Sequence, residues 1–238
     1  MGVMKKFFKN WNLFEICFLF SSLLVITLCF VFGADKNIFS FIVSLVGVVS
    51  VLTVAKGLVV APFINIIYNV LYAIISIFQG YYGEAIIYVF LMVPISVFSI
   101  IEWLRNKNKD NSDVVEVNKI KGKEYLYLAI ATVFTTLGFY FLLKVLNTNE
   151  LIISTISLIT SMIASYLMLR RCSYYALGFI LNDIILIVLW SLVVVNSGIG
   201  YLPTVISFCV FLINDIYGFI HWKMEEKKQQ KQKELNIN

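Results

Sequence analysis

The chain has 238 residues, of which 60% are hydrophobic and only 14% are charged, and its mean hydropathy is +0.88. This composition, with several apolar runs of about twenty residues, excludes the soluble classes and predicts an all-α integral membrane protein. The net charge of +5 does not indicate nucleic-acid binding, because the basic residues lie between the apolar runs, where membrane topology accounts for them.

Eight apolar segments follow one another along the chain, each long enough for a transmembrane helix. They are residues 13–32, 38–55, 58–79, 85–104, 125–143, 151–169, 176–196 and 201–222. Lys5, Lys6 and Lys9 before the first segment imitate a signal peptide, but the segment is long for one and no A-x-A cleavage site follows. We therefore expect a retained anchor helix.

The basic residues predict an orientation in the membrane. With a cytoplasmic N-terminus, 17 of the 19 basic residues fall in cytoplasmic gaps, and only Lys36 and Lys144 lie outside. The positive-inside rule therefore favours eight helices with both termini in the cytoplasm over seven or nine. We expect a multi-pass protein of the cell membrane.

The longest hydrophilic gap, from Arg105 to Glu124, separates two similar halves. Segments two to four and six to eight both run from outside to inside, which predicts parallel three-helix repeats joined by a connector helix, a 3+1+3 arrangement with one extra N-terminal helix. The expected units are an N-terminal helix (1–37), a first repeat (38–104), a cytoplasmic loop with the connector (105–143), a second repeat (151–222) and a charged cytoplasmic tail, frayed or loosely helical (223–238).

Individual residues match across the central gap, at an offset that drifts by a few positions. The matches are Lys56 with Arg170 or Arg171, Asn65 with Asn182, Gly83 with Gly200, and Glu102-Trp103 with His221-Trp222. Strips of small residues on the second and sixth segments predict close helix packing.

A polar stripe marks the third segment. Its members recur at spacings of three and four, which places them on one side of a helix: Asn65, Tyr68, Asn69, Tyr72, Ser76 and Gln79. Since hydrocarbon does not solvate amides, this side must face protein or a watery cavity, and it indicates a transport pathway.

The seventh and eighth segments carry the same polar dipeptide. Asn182 and Asp183 interrupt one apolar run, with Trp190 two turns later, and Asn214 and Asp215 interrupt the other. An ionised aspartate at this depth is costly unless it is paired or hydrated, so these groups either surround a cavity or fasten helices together. Tyr72, Tyr82, Tyr88 and Trp190 are suited to stacking on a flat ring, while Glu15, Glu84 and Glu102 are expected to be solvated at helix ends.

The residues show no catalytic or metal-binding pattern. Four cysteines lie far apart, one histidine is present, and the P-loop, H-E-x-x-H and G-x-S-x-G motifs are absent from the sequence. We therefore expect neither an enzyme nor a cofactor. Two other classes stay open: an intramembrane enzyme using Asp183 with Asp215, and a scaffold subunit whose polar layer is fully paired.

The chain resembles the PnuC family of vitamin transporters, which are related to the SWEET sugar transporters. Two stretches carry the likeness: LYAIISIFQGYYGE with the later IIEW, and FILNDIILIVLW with the later IYGFIHW. The resemblance covers roughly residues 38–223. It implies uptake of nicotinamide riboside by facilitated diffusion, trapping of the product by a cytoplasmic kinase, and a homotrimer.

The sequence departs from that family at one place. Nicotinamide riboside members generally have two tryptophans three apart before the position of Asp183, and here Ala176 and Phe179 stand there. Thiamin, riboflavin and deoxynucleosides are therefore alternative substrates. We assign ring contacts to Tyr72, Tyr88, Phe179 and Trp190, and hydrogen bonds to Asn65, Asn69, Gln79, Asn182, Asp183 and Asn214.

Overall fold

The structure is a computed structural model. The residues it describes are 11–33, 36–108 and 111–235. Four lysines that contribute to the predicted orientation, Lys5, Lys6, Lys9 and Lys109, lie outside the described residues, as does the end of the predicted tail.

Eight helices in the described part of the chain are long and apolar enough to cross a membrane, which confirms the predicted fold class. They are α1 (Leu13–Phe32), α2 (Ile38–Ala55), α3 (Ala61–Phe78), α4 (Tyr82–Arg105), α5 (Gly122–Val145), α6 (Leu151–Leu169), α7 (Tyr175–Ser197) and α8 (Leu202–Leu235). The tail after residue 222 continues α8 regularly as far as it is described, so of the two expected forms, frayed or loosely helical, the structure has the helical one.

Local sequence signals explain where several helices begin and end. Asn12 opens α1 with a capping box, in which its side chain accepts from the Glu15 N–H at 2.8 Å and the Glu15 carboxylate accepts from the Asn12 N–H at 2.7 Å. The Asn37 side chain caps α2 by accepting from the Ser40 N–H at 2.8 Å. Pro62 stands in the first turn of α3, where its missing N–H has no intrahelical partner to lose.

The fourth helix contains a π-helical turn, Tyr88–Met92, just before Pro94. Proline lacks an N–H and crowds the preceding turn, so the regular ladder cannot continue through it. The Val93 N–H donates instead to the Tyr88 carbonyl, five residues back. This wider turn directs Tyr88 and Met92 into the interior, where both are buried.

The helices pack as two groups of three. Helices α2, α3 and α4 contact each other in order, as do α6, α7 and α8, and the groups meet where α2 packs on α8 and α4 packs on α6. Helix α1 lies against α2 and α8, and α5 lies against α6. Buried serines and Gly47 on α2, and buried serines on α6, allow the close approach that the small-residue strips predict.

The first helix of each group ends in the same type of turn. Gly57 and Arg171 both have a positive φ, 66° and 56°, and each is followed by a bridge to the loop 106–121: Leu58 with Val114, and Cys172 with Asn118. This left-handed backbone conformation is sterically less favourable for arginine than for glycine. Its guanidinium compensates by binding the Glu102 carboxylate at 3.0 Å and the Glu116 carbonyl at 2.9 Å.

Two tryptophans tie the groups together reciprocally. The Trp103 indole on α4 donates to the Met168 carbonyl at 3.1 Å, and the Trp222 indole on α8 donates to the Val54 carbonyl at 3.2 Å. Each tryptophan thus binds the first helix of the opposite group, and their ring centroids lie 5.8 Å apart. We call Trp103, Trp222 and their two carbonyl partners the tryptophan interlock.

Ion pairs surround the interlock at one end of the bundle, which carries Lys56, Arg170 and the loop 106–121 and which we call the basic end. Arg170 lies 2.5 Å from Glu124, and this contact raises the pKa of the guanidinium, whereas burial lowers the pKa of Arg171. Glu15, expected to be solvated, is 1% exposed and binds Lys56 at 2.5 Å, so that expectation is wrong.

Candidate functional site

A cavity of about 50 Å³ lies between α3 and α7, with α2, α4, α6 and α8 completing its wall. Its lining combines amides, aromatic rings, two methionines and two carboxyl groups. The lining residues are Ser50, Val51, Val54, Asn65, Tyr68, Asn69, Tyr88, Met92, Met168, Phe179, Asn182, Asp183, Phe208, Phe211 and Asp215.

Six of the ten residues assigned from the sequence meet in this lining, and four do not. Those in the lining are Asn65, Asn69, Tyr88, Phe179, Asn182 and Asp183. The four outside it are Tyr72, Gln79, Trp190 and Asn214. Helical spacing correctly indicates which side of α3 and α7 faces inward, but it does not say how far along the helix the cavity extends.

Tyr72 and Trp190 form a layer behind the lining. The Trp190 indole donates to the Tyr72 hydroxyl at 2.7 Å, and both side chains are fully buried. Tyr72 also packs on Tyr88, with ring centroids 4.1 Å apart. These two residues therefore position Tyr88, which does line the cavity.

Gln79 and Asn214 are also directed elsewhere. Gln79 follows the last residue of α3 and hydrogen-bonds the Tyr201 hydroxyl at the end of the bundle opposite the basic end. The Asn214 amide donates to the Val51 carbonyl and to the Asp215 carboxylate, both at 3.1 Å. The neighbouring Asp215 reaches the cavity instead.

The amides of α3 have hydrogen-bonding capacity to spare. Asn69 donates to the Ser96 hydroxyl at 3.2 Å, while its side-chain oxygen is buried without a partner. Asn65 makes only long contacts, 3.3 Å from Ser50 and 3.4 Å from Ser96. A buried acceptor without a donor is costly, so Asn69 is suited to accept from a ligand or water.

Asn182 has a more structural set of contacts. Its side-chain oxygen accepts from three hydroxyls of α6, those of Ser157 at 3.2 Å, Thr160 at 2.9 Å and Ser161 at 3.0 Å. This oxygen is saturated and fastens α7 to α6. The fastening interpretation therefore holds for Asn182, although the residue also lines the cavity.

Two carboxyl groups face each other across α7 and α8. Asp183 on α7 and Asp215 on α8 both line the cavity, and they are 4% and 5% exposed. The second oxygen of Asp183 is buried without a partner. The sequence analysis assigns no substrate contact to Asp215, although the Asn-Asp dipeptide that recurs in α7 and α8 is a signal for one.

Several lining residues gave weak or no sequence signals. Two of them have a weak signal: Tyr68 belongs to the polar stripe of α3, and Met92 lies two residues before Pro94. The others, Met168, Phe208 and Phe211, are ordinary apolar residues in apolar helices. Only the packing of α6 and α8 against the other helices brings these three to the cavity.

Glu84 is a further correction. It is fully buried at the start of α4, and neither carboxylate oxygen has a hydrogen bond of good geometry, although the side chain lies beside Ser157. The expectation of a solvated Glu84 is wrong, because α4 begins earlier than the hydropathy pattern indicates.

Among the described residues, no cluster of three His, Cys, Asp or Glu side chains could hold a metal ion.

Comparison with known proteins identifies the family. The family model described as "Nicotinamide mononucleotide transporter" matches residues 37–224. The nicotinamide riboside transporter PnuC of Neisseria mucosa is 26% identical over 234 residues, which are 96% of this chain and 88% of that protein. The crystal structure of the vitamin B3 transporter PnuC superposes with a TM-score of 0.83 at 23% identity, over 94% of this chain and 97% of the other. The chain therefore belongs to the nicotinamide mononucleotide transporter family, and it is a membrane transporter of the PnuC type.

Proposed function

We propose that this protein imports nicotinamide riboside, or a closely related vitamin or nucleoside, by facilitated diffusion. The observation that most strongly supports this function is the cavity between the two three-helix groups, where amide side chains lie beside aromatic rings. Rings can stack on the base, and amides can bind its polar edge and the sugar hydroxyls. The name of the Neisseria relative supports the riboside as the first substrate to test.

The proposed contacts follow from the lining. Tyr88 and Phe179 stack on the ring, while Asn65, Asn69 and Asp183 bind the polar groups. Ala176, at one of the positions where relatives have tryptophan, is buried outside the lining. Thiamin, riboflavin and deoxynucleosides therefore stay in the panel of alternative substrates.

The size of the cavity requires movement during transport. About 50 Å³ holds a few water molecules, whereas pockets for ligands of this size have roughly 300 Å³ or more. The two groups must separate to admit substrate, which fits alternating access by rocking of two repeats around a central site. We propose residues 38–104 and 151–222 as these repeats and 105–143 as their link.

The cellular setting is also part of the proposal. The distribution of basic residues supports a cell-membrane protein with both termini, and hence the basic end, in the cytoplasm. A cytoplasmic kinase would then trap the imported nucleoside, because a phosphate group adds charge that prevents its return. The family resemblance supports a homotrimer.

Binding by the purified protein tests the substrate. We expect nicotinamide riboside to raise the melting temperature of the full-length protein in detergent, and to do so more than riboflavin or deoxynucleosides. Asp183→Leu should abolish the shift and uptake into proteoliposomes, while Asp113→Asn, in the loop 106–121, serves as the control. Undiminished uptake by correctly inserted Asp183→Leu protein would contradict the assigned site.

A further inference from the structure

The charge of the cavity is one-sided. Among its lining residues the ionisable carboxyl groups are those of Asp183 and Asp215, and the lining contains no lysine, arginine or histidine. Neither aspartate takes part in an ion pair within the described residues. The cavity therefore has acidic groups without a basic partner in its wall.

Basic side chains from the neighbouring helices are engaged elsewhere. Lys56 is paired with Glu15 at 2.5 Å, and Arg171 is paired with Glu102 at 3.0 Å, both at the basic end. Neither of these two basic residues is therefore the counter-ion of Asp183 or Asp215.

The geometry of the pair leaves one position open. A buried carboxyl group without a counter-ion favours its neutral form, and a cation placed beside it favours the ionised form. Asn214 holds one Asp215 oxygen at 3.1 Å, while the second Asp183 oxygen is buried without a partner. Tyr68 and Phe211 also line the cavity, with ring centroids 5.8 Å apart, and aromatic faces attract cations.

We propose that the Asp183 and Asp215 pair selects substrates by charge, so that the cavity takes a heteroaromatic ring with a fixed positive charge in preference to a neutral ring of the same shape. This inference rests on the proposed transport function and narrows its substrate class. Quaternised pyridinium and thiazolium rings, such as those of nicotinamide riboside and thiamin, fit the class. Riboflavin and deoxynucleosides, which are neutral, do not.

A matched pair of ligands tests the proposal without any mutation. Nicotinamide riboside is a pyridinium cation, and its dihydro form is neutral with nearly the same shape. We expect the full-length protein in detergent to bind the cation at least about tenfold more tightly, measured by calorimetric titration. Equilibrium binding is the required readout, because a membrane potential would itself drive a cation in an uptake assay.

Substitution then locates the selectivity. In Asp183→Asn and Asp215→Asn, which keep the side-chain shape, the ratio of the two affinities should fall, and in the double variant it should approach one. Asp113→Asn, which removes a carboxylate outside the cavity, should leave the ratio unchanged. Size-exclusion profiles of the variants show whether they are folded.

The outcomes separate this inference from the proposed function. Equal binding of both forms by the unmodified protein would overturn charge selection while leaving riboside transport intact. A preference that survives the double variant would overturn the assignment to the aspartates. If thiamin binds and nicotinamide riboside does not, the proposed substrate is wrong and charge selection stands.

Discussion

The asparagines of the cavity differ in what their side chains already bind. Asn182 accepts three hydroxyls of α6, whereas the Asn69 oxygen has no partner. A residue with saturated contacts contributes mainly to folding, while one with spare capacity is available to a ligand. The same residue type therefore serves two purposes in the lining of one cavity.

This difference predicts opposite effects of matched substitutions. Asn182→Leu should destabilise the protein by about 2 kcal/mol, because it leaves hydroxyls of α6 without their acceptor. Asn69→Leu should weaken substrate binding about tenfold with a smaller loss of stability. Thermal melting and titration on the same preparations check both, and an equal loss of stability in the two variants would contradict the distinction.

The buried pair of Glu15 and Lys56 allows a second prediction. Glu15→Leu should destabilise the protein by about 3 kcal/mol, because it leaves the Lys56 ammonium buried without its carboxylate. Adding Lys56→Met should recover the part of that loss that comes from the unpaired charge, while the bonds of Glu15 to the Asn12 N–H and the Tyr217 hydroxyl stay lost. Chemical denaturation of the single and double variants measures the recovery, and an additive further loss would argue against this explanation.

At the scale of helices, close packing and cavity shape are linked through Gly47 on α2. A Cβ placed there would lie 2.5 Å from the Phe211 ring and 2.8 Å from the Tyr68 ring. Both rings line the cavity. Gly47 thus lets α2 pack closely without pushing those rings into the substrate space.

Gly47→Ala should therefore reduce substrate affinity about tenfold by moving the rings inward. Gly138→Ala on α5 is the control, because a Cβ there meets nothing within 4 Å and should be neutral or slightly stabilising. Titration of both variants measures the difference, and unchanged affinity of the Gly47 variant would show that the rings relax elsewhere.

The tryptophan interlock predicts how the basic end opens. Trp103→Phe and Trp222→Phe each remove an indole N–H while keeping an aromatic ring, at a cost of about 1 kcal/mol. Hydrogen–deuterium exchange should then increase around residues 54–58 and 168–172 in either variant. Helix α5 is the internal reference. Increased exchange in only the three-helix group that carries the substitution would contradict the proposal that the two tryptophans close the basic end together.

At the scale of the whole molecule, the number of helices and their class followed from hydropathy, because a bilayer demands long apolar runs. Asn65, Asn69, Asn182 and Asp183 could be placed near the site because amides and acids are rare in such helices. Phe208 and Phe211 could not, since an apolar ring on an apolar helix has no distinguishing pattern. Their role depends on the packing of α8 against α2, which no local signal encodes.

Facilitated diffusion predicts a specific behaviour of the whole transporter. In proteoliposomes without ion gradients, nicotinamide riboside should equilibrate across the membrane without accumulating, and unlabelled substrate inside should accelerate entry of labelled substrate. Radiolabel uptake measures both, with protein-free vesicles as the control. Accumulation that appears only with an imposed proton gradient would indicate coupled transport instead.

The two indole hydrogen bonds also affect how tightly the transporter is closed to water and ions. Trp103 and Trp222 each donate a hydrogen bond to the opposite three-helix group, and their rings pack on each other. Moving either ring should therefore weaken both hydrogen bonds. Partly open conformations of the basic end should consequently be short-lived. The basic end should therefore open in a single cooperative step. We therefore expect a carrier built in this way to stay closed to water and small ions between transport cycles.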